Sequence, residues 1–269
     1  MKTFVHDFAC YLLLDLFKIT KGICMSELLL EPEFTPVLAL AEQLKAHSYA
    51  VVSPSDLLQL IDLPIASLEK WVPSWNDLPA DHYLKDGGKY RRRRHSSFVV
   101  QGQHCEQVAH RAHWQPVSYN ALHGGMVRWF EPMQEAISQD PHWGQFLCQL
   151  GELFSQLKGV TTWYVESHQF RIDTAGGIGR PTPEGAHRDG VDFVVVMLID
   201  RRRILGGESR IFAAQGRHGE RFTLQKPFTT VILDDEKVIH ETTPIRPTEQ
   251  AGHRDTLVLT FRKGGFQEE

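Results

Sequence analysis

From Gly159 onward the chain breaks into short strand-like runs: "TTWYVESHQFRI", "VDFVVVMLI", "ESRIFAA", "RFTLQ", "TTVIL", "KVIHETTPI" and "DTLVLTFRK". Turn residues separate them, and the spacing predicts an antiparallel sandwich or barrel, because alternating βαβ units would need helical crossovers. Ahead of these runs, Val37, Leu38, Ala41 and Leu44 form a helical stripe and "YAVV" reads as a short strand. "SPSDLLQLI" reads as a helix capped by Ser53 or Ser55, "IASLEKWV" extends the helical layer, and residues 131–158 read as two helices broken near Pro141. The expected fold class is α+β, with a helical N-terminal part over about 25–158 packed on a β-core over about 160–263. Residues 25–269 form one catalytic unit in this reading.

The 269 residues carry a net charge of -4 with 14 histidines. An acidic chain is a poor fit to a dedicated nucleic-acid binder. The opening "FVHDFACYLLLDLFKITKGIC" is interrupted by Asp7 and Asp15, so it suits neither a membrane span nor a signal peptide. It reads as a dispensable extension over residues 1–24. Cys10, Cys24, Cys105 and Cys148 show no CxxC pairing and read as free thiols of the cytoplasm.

"PTPEGAHRDGVDFVVVMLID" places His187 and Asp189 at the mouth of an apolar run. On an extended chain, residues two apart share a face, so an imidazole and a carboxylate stand side by side. A third ligand would complete the facial triad that leaves positions open on non-haem iron(II), and His240 in "DDEKVIHETTPI" is the best candidate. Arg254, Thr256 and Thr260 then share one face of the last strand. A guanidinium forks around a carboxylate, and a hydroxyl beside it adds a third hydrogen bond. An open iron centre with a carboxylate clamp nearby is what a 2-oxo acid cosubstrate needs. The glycines of "TAGGIGRPTPEG" let the chain turn above the metal, with Thr182 facing the cosubstrate. Gly206 and Gly207 mark a turn or bulge.

The run "YRRRRH" reads as a solvated strand or a patch paired with nearby acids, with one or two arginines left to face an anionic substrate. His104, His110 and His113 read as surface or core histidines with no acidic partner in "QVAHRAHWQPV".

"HRD", "VIHE" and "HRDTLVLTFR", in this order, resemble the Fe(II)/2-oxoglutarate-dependent dioxygenases. The fuller run "RPTPEGAHRDGVDFVVVMLIDRRRILGGESRIF" with "HETTPI" is similar to the bacterial group that includes the L-isoleucine dioxygenases, most strongly over residues 160–263. "DGGKYRRRRHSSF" is similar to that group's N-terminal part. The resemblance implies a double-stranded β-helix (jelly-roll, cupin-like) core flanked by N-terminal helices, with His187, Asp189 and His240 as iron ligands and Arg254 as cosubstrate anchor. It implies Fe(II), 2-oxoglutarate and O2 as the reacting set, with hydroxylation of a C–H bond and release of succinate and CO2.

A free aliphatic L-amino acid is the expected substrate. Its ammonium would meet Glu184 or Asp192 and its carboxylate Arg188 or Arg171. No nucleic acid or membrane partner is expected, and a homodimer is one option for the oligomeric state. Two other classes share the same residues: a cupin-like isomerase or hydrolase holding another divalent metal, and a non-catalytic regulatory protein on the same scaffold.

Overall fold

The run "VDFVVVMLI" has few polar breaks because it occupies the middle of a sheet covered on both faces. In the computed structural model, which describes residues 29–216 and 218–269, it forms the strand β5, Phe193–Arg202. Phe193, Val195, Met197 and Ile199 face a helical layer, and Val194 and Leu198 join a second apolar cluster on the other side. The period of two along one strand thus sorts two environments.

Preceding β5 come a 3-10 turn (Val37–Ala39), α1 (Leu40–His47), β1 (Tyr49–Val52), α2 (Pro54–Ile61) and α3 (Ile65–Trp71). A second 3-10 turn (Val72–Asp77) leads to β2 (Arg91–Gln101), β3 (His104–Gln107), α4 (Glu135–Ser138), α5 (Pro141–Lys158) and β4 (Thr162–Asp173). After β5 follow β6 (Ile204–Gly206), β7 (Glu208–Ala213), β8 (Gly219–Thr223), β9 (Thr230–Asp234), β10 (Val238–Thr242), β11 (Ile245–Pro247) and β12 (His253–Arg262). Glu31–Glu269 make one compact unit.

Seven strands form an antiparallel sheet in the order β1-β9-β5-β12-β4-β2-β3. A three-stranded sheet, β10-β7-β8, and the pair β11-β6 complete the β-structure. Ile211, Phe222 and Val238 from the smaller sheet, with Leu224 just past its last strand, pack with Val194, Leu198, Val231 and Leu233 of the larger one. Two facing antiparallel sheets with helices outside agree with a jelly-roll of the 2-oxoglutarate oxygenase type.

The outer face of the large sheet is closed by α5. Asp140 caps this helix through His142 N–H at 3.1 Å, Pro141 follows the cap, and Gly159 ends the helix with φ 67°. Phe154 of α5 stacks on Phe193 at 4.1 Å between ring centroids and meets Phe261 edge-on at 4.8 Å.

Two expectations are corrected. The stripe of α1 runs through Leu40 and Leu44, while Leu38 is 92% exposed. The tighter winding of the 3-10 turn before α1 rotates the earlier residues out of phase. The portion read as helical carries, besides the expected strand β1, the strands β2 and β3, and β2 pairs with β4 along its whole length. Four consecutive arginines show no apolar–polar alternation, so the strand there could be read only as a solvated one, with no inward face assigned. The expected extension over residues 1–24, with Cys10 and Cys24, lies outside the described residues. Among the described residues, no helix is long and apolar enough to cross a membrane.

Candidate metal centre and its cavity

His187 and His240 stand opposite each other across a short antiparallel bridge. His187 N–H donates to the His240 carbonyl at 3.0 Å, and His240 N–H returns the bond at 2.9 Å. Two backbone hydrogen bonds therefore bring the imidazoles to 4.6 Å between ring centroids. Asp189 closes the group, with its carboxylate 3.8 Å from His187 Nε2 and 3.3 Å from His240 Nε2. One nitrogen or oxygen atom from each of the three residues lies within 4.8 Å of the others.

The donor set fits a divalent metal. His187 Nδ1 is 3.0 Å from the Gly185 carbonyl, which selects the tautomer that leaves Nε2 bare. Nε2 of His240 is buried with no hydrogen-bond partner. Burial alone would raise the Asp189 pKa. The His240 imidazole at 3.3 Å, then that of His187, outweighs it and holds the carboxyl well below its usual range. An ionised carboxylate and two imidazole lone pairs, converging without a shared hydrogen-bond network, make an N2O ligand face.

The loop carrying Asp189 is fixed from beneath. Asp235, 1% exposed, accepts backbone N–H groups from Asp189, Gly190 and Val191 at 3.1, 2.8 and 3.2 Å. Gln267 donates to the Asp189 and Gly190 carbonyls at 3.1 and 2.9 Å. Gln115 Nε2 donates to the Asp189 carboxylate at 3.0 Å. Gly190 takes φ +75°, and a Cβ there would lie 2.4 Å from the Tyr119 ring, so this turn requires glycine.

The three residues border a cavity of ≈ 130 Å³. Arg254, Thr256, Val258 and Thr260 from β12 line it, alternating with Leu257, Leu259 and Phe261 on the helix side. Arg254 is 3% exposed, and its Nε and Nη2 have no partner. Burial, with Arg201 nearby, pulls its pKa down to about 10. A buried, unpartnered guanidinium has the chemistry to receive an anion.

The sequence profile of the 2OG-Fe dioxygenases matches residues 72–260. The chain belongs to that family. Dioxygenases of this family use Fe(II), 2-oxoglutarate and O2. A bsmA homolog from Methylobium petroleophilum has a crystal structure with 49% identity and a TM-score of 0.83, covering 88% of this chain and 97% of its own. The fold is shared with IDO from Bacillus thuringiensis (16% identity, TM-score 0.69, 88% and 99% covered). It is also shared with the Fe(II)/α-ketoglutarate-dependent dioxygenase TqaL (17% identity, TM-score 0.65, 86% and 90% covered). No curated protein matches the chain significantly.

Within this dioxygenase fold the remaining candidates separate. Glu184 borders the cavity, its Oε1 lies 3.7 Å from His187 Nε2, and its Oε2 is buried without a partner. Thr182 also borders the cavity, but its hydroxyl is engaged with the Thr242 backbone, donating at 3.0 Å and accepting at 3.1 Å. Three residues expected at the substrate do not line the cavity. Arg171 forks onto the buried Asp255 at 2.8 and 2.6 Å. Asp192, past the turn at Gly190, accepts from Lys263 N–H at 2.9 Å and pairs with Lys263 Nζ at 3.0 Å. Arg188 donates to the Glu236 carbonyl at 3.1 Å and lies over the Tyr119 ring.

The arginine run divides between the two faces of its strand. Arg91 and Arg93, 5% and 4% exposed, turn inward to the cavity wall, and Arg92 and Arg94 pair with acids on the other face. His113 does have an acidic partner. Glu166 receives it at 3.3 Å, together with His95 at 3.1 Å and Arg111 at 3.4 Å. Burial drives His113 down to about 3. His168, the fourth member of this buried group, has its Nδ1 2.9 Å from Arg93 Nη2. Internal hydrogen bonds and two guanidinium groups thus occupy the positions a second metal would need.

Proposed function

We propose that this protein is an Fe(II)- and 2-oxoglutarate-dependent hydroxylase of a small free amino acid, akin to the L-isoleucine dioxygenase group. The observation that carries the reading is one cavity joining a three-residue N2O face to a buried arginine with no carboxylate partner. His187, Asp189 and His240 would hold the iron, and Arg254 the far carboxylate of 2-oxoglutarate, with Thr256 beside it. When bound, the iron with 2-oxoglutarate and O2 supplies the oxidising power for C–H hydroxylation.

The protein's own residues bind and orient. Gln115 and the Asp235 clamp hold Asp189 in one rotamer, and the Gly185 carbonyl fixes the His187 tautomer. Val196, Val258, Phe170 and Ile172 give the wall an apolar share against which an aliphatic chain would lie, and Glu184 is placed to accept an ammonium. These side chains also limit water in the cavity, which strengthens every charge interaction there.

Anaerobic addition of Fe(II) and 2-oxoglutarate should give the weak visible charge-transfer band of a chelated keto acid. His187→Ala should abolish both the band and stoichiometric metal binding. The proposal is lost if the wild type shows no band and the substitution changes neither metal content nor succinate release.

A further inference from the structure

Four arginines are buried among the described residues: Arg91, Arg93, Arg128 and Arg254. Arg91 pairs with Asp81 at 2.7 Å, and Arg254 is assigned above to the cosubstrate. Arg93 and Arg128, 4% and 2% exposed, border the same cavity, and neither has a carboxylate within ion-pair distance. Each has a buried Nε with no hydrogen-bond partner. Burial and then the like charge of Arg128 pull the Arg93 guanidinium well below its ordinary value, and burial and then the like charge of Arg91 pull Arg128 down to about 10. Two like charges kept together in a dry wall are costly unless an anion joins them.

Both groups are held in place. The Arg93 guanidinium lies between two rings, its central carbon 3.9 Å from the Phe130 centroid and 4.7 Å from that of Phe170. Arg128 is pinned by a backbone bridge to His113, and its Nη2 donates to Gln115 Oε1 at 3.1 Å. Gln115 in turn donates to Asp189, so Arg128 stands two hydrogen bonds from the metal face.

We infer that Arg93 and Arg128 form a second anion subsite, distinct from Arg254, which takes a substrate carboxylate, and that the substrate carries a net negative charge. This rests on the hydroxylase reading and narrows it. The charge balance sets the narrowing. A divalent metal, the Asp189 carboxylate, dianionic 2-oxoglutarate and Arg254 cancel. What remains on the wall is Arg93 and Arg128 against Glu184, one positive charge in excess. A zwitterionic amino acid leaves that excess in place, whereas an amino acid with an acidic side chain removes it. The aliphatic chain expected from the sequence would then end in a second carboxylate.

The test uses the full chain stripped of metal with a chelator, titrated calorimetrically with L-glutamate, its neutral isostere L-glutamine, and L-isoleucine. L-Glutamate should bind about tenfold or more tightly than either neutral probe, one charge-assisted pair being worth that much. Arg93→Met and Arg128→Met should each erase the preference, Arg93→Lys and Arg128→Lys should restore part of it, and Arg254→Met should leave it. The inference is overturned if the three probes do not differ, including the case where none binds. It is equally overturned if the preference survives both methionine variants or disappears with Arg254→Met. A preference without the charge-transfer band in wild type would leave the subsite standing and remove the hydroxylase reading. The band without a preference would remove this inference alone.

Discussion

Arg254 has a cost in the ligand-free protein that can be measured. Burial, then the like charge of Arg201, holds its guanidinium at about 10, well below its ordinary value. At 1.36 kcal/mol per unit, the folded state carries a penalty of about 3 kcal/mol. The sign is that of a base with a lowered folded pKa. The residue stays protonated in both states at neutral pH, so the penalty is complete below about 10 and fades only as pH rises toward the ordinary value of a guanidinium. Arg254→Met removes the charge and keeps most of the side-chain volume. Ligand-free, metal-free protein should therefore gain about 1–3 kcal/mol, after allowing for lost contacts. For a domain of this size that raises Tm by roughly 3–8 °C. Differential scanning calorimetry reads the gain, and a repeat with 2-oxoglutarate should show the ligand-induced rise of wild type abolished in the variant. A lower Tm in Arg254→Met, with the ligand response retained, would refute the reasoning, because Arg254 would then be a structural cation and not a receptor.

Asp235→Asn replaces one of the oxygens that hold the Asp189 loop with a donor facing another donor. Metal affinity, followed by competition with a chelator, should fall about tenfold, with about 1–3 kcal/mol lost in urea unfolding; unchanged affinity would remove Asp235 as a positioning residue. Gly190→Ala should destabilise by more than the ~1 kcal/mol of a left-handed alanine, because its Cβ also meets the Tyr119 ring, and adding Tyr119→Ala should recover part of the loss in a double-mutant cycle. Stability should also fall steeply in mild acid. Burial keeps His113 neutral down to about 3 in the folded state, against 6.5 in the unfolded chain, and lowers His95 and His168 in the same direction. Protons bind the unfolded state first as pH drops below 6.5, so His113 alone removes about 2 kcal/mol by pH 5, with His95 and His168 acting in the same direction; a flat urea-unfolding profile over that window would contradict the buried, neutral assignment.

The β-core was readable because its strands combine β-branched residues with short turns, a pattern each segment carries by itself. The meeting of His187, Asp189 and His240, with Arg254 on the same cavity, was readable for a related reason, since each falls at a recognisable place in such a run. What stayed hidden depends on partners distant in the chain. Arg91 to Arg94 are identical as letters, and only pairing of β2 with β4 decides that Arg91 and Arg93 turn inward. His113 finds Glu166 across the sheet, and Asp235 finds the Asp189 loop, with nothing local to announce either contact. Asp192 was misplaced because the glycine turn at Gly190 redirects the chain before it, so an acid three positions past Asp189 does not share its surroundings. Arg171 was misplaced because Asp255, its true partner, sits directly across from it in the β4–β12 register.

The bridge between His187 and His240 bears on metal choice. Main-chain bonds, not the ion, set the separation of the two imidazoles, so the pocket is ready before anything enters it. A ready-made gap cannot reshape itself to reject Ni(II), Cu(II) or Zn(II), all of which outrank ferrous iron for such donors. Occupancy by iron is then decided by the supply of free metal around the protein, and trace nickel or zinc in a preparation should silence it without unfolding it.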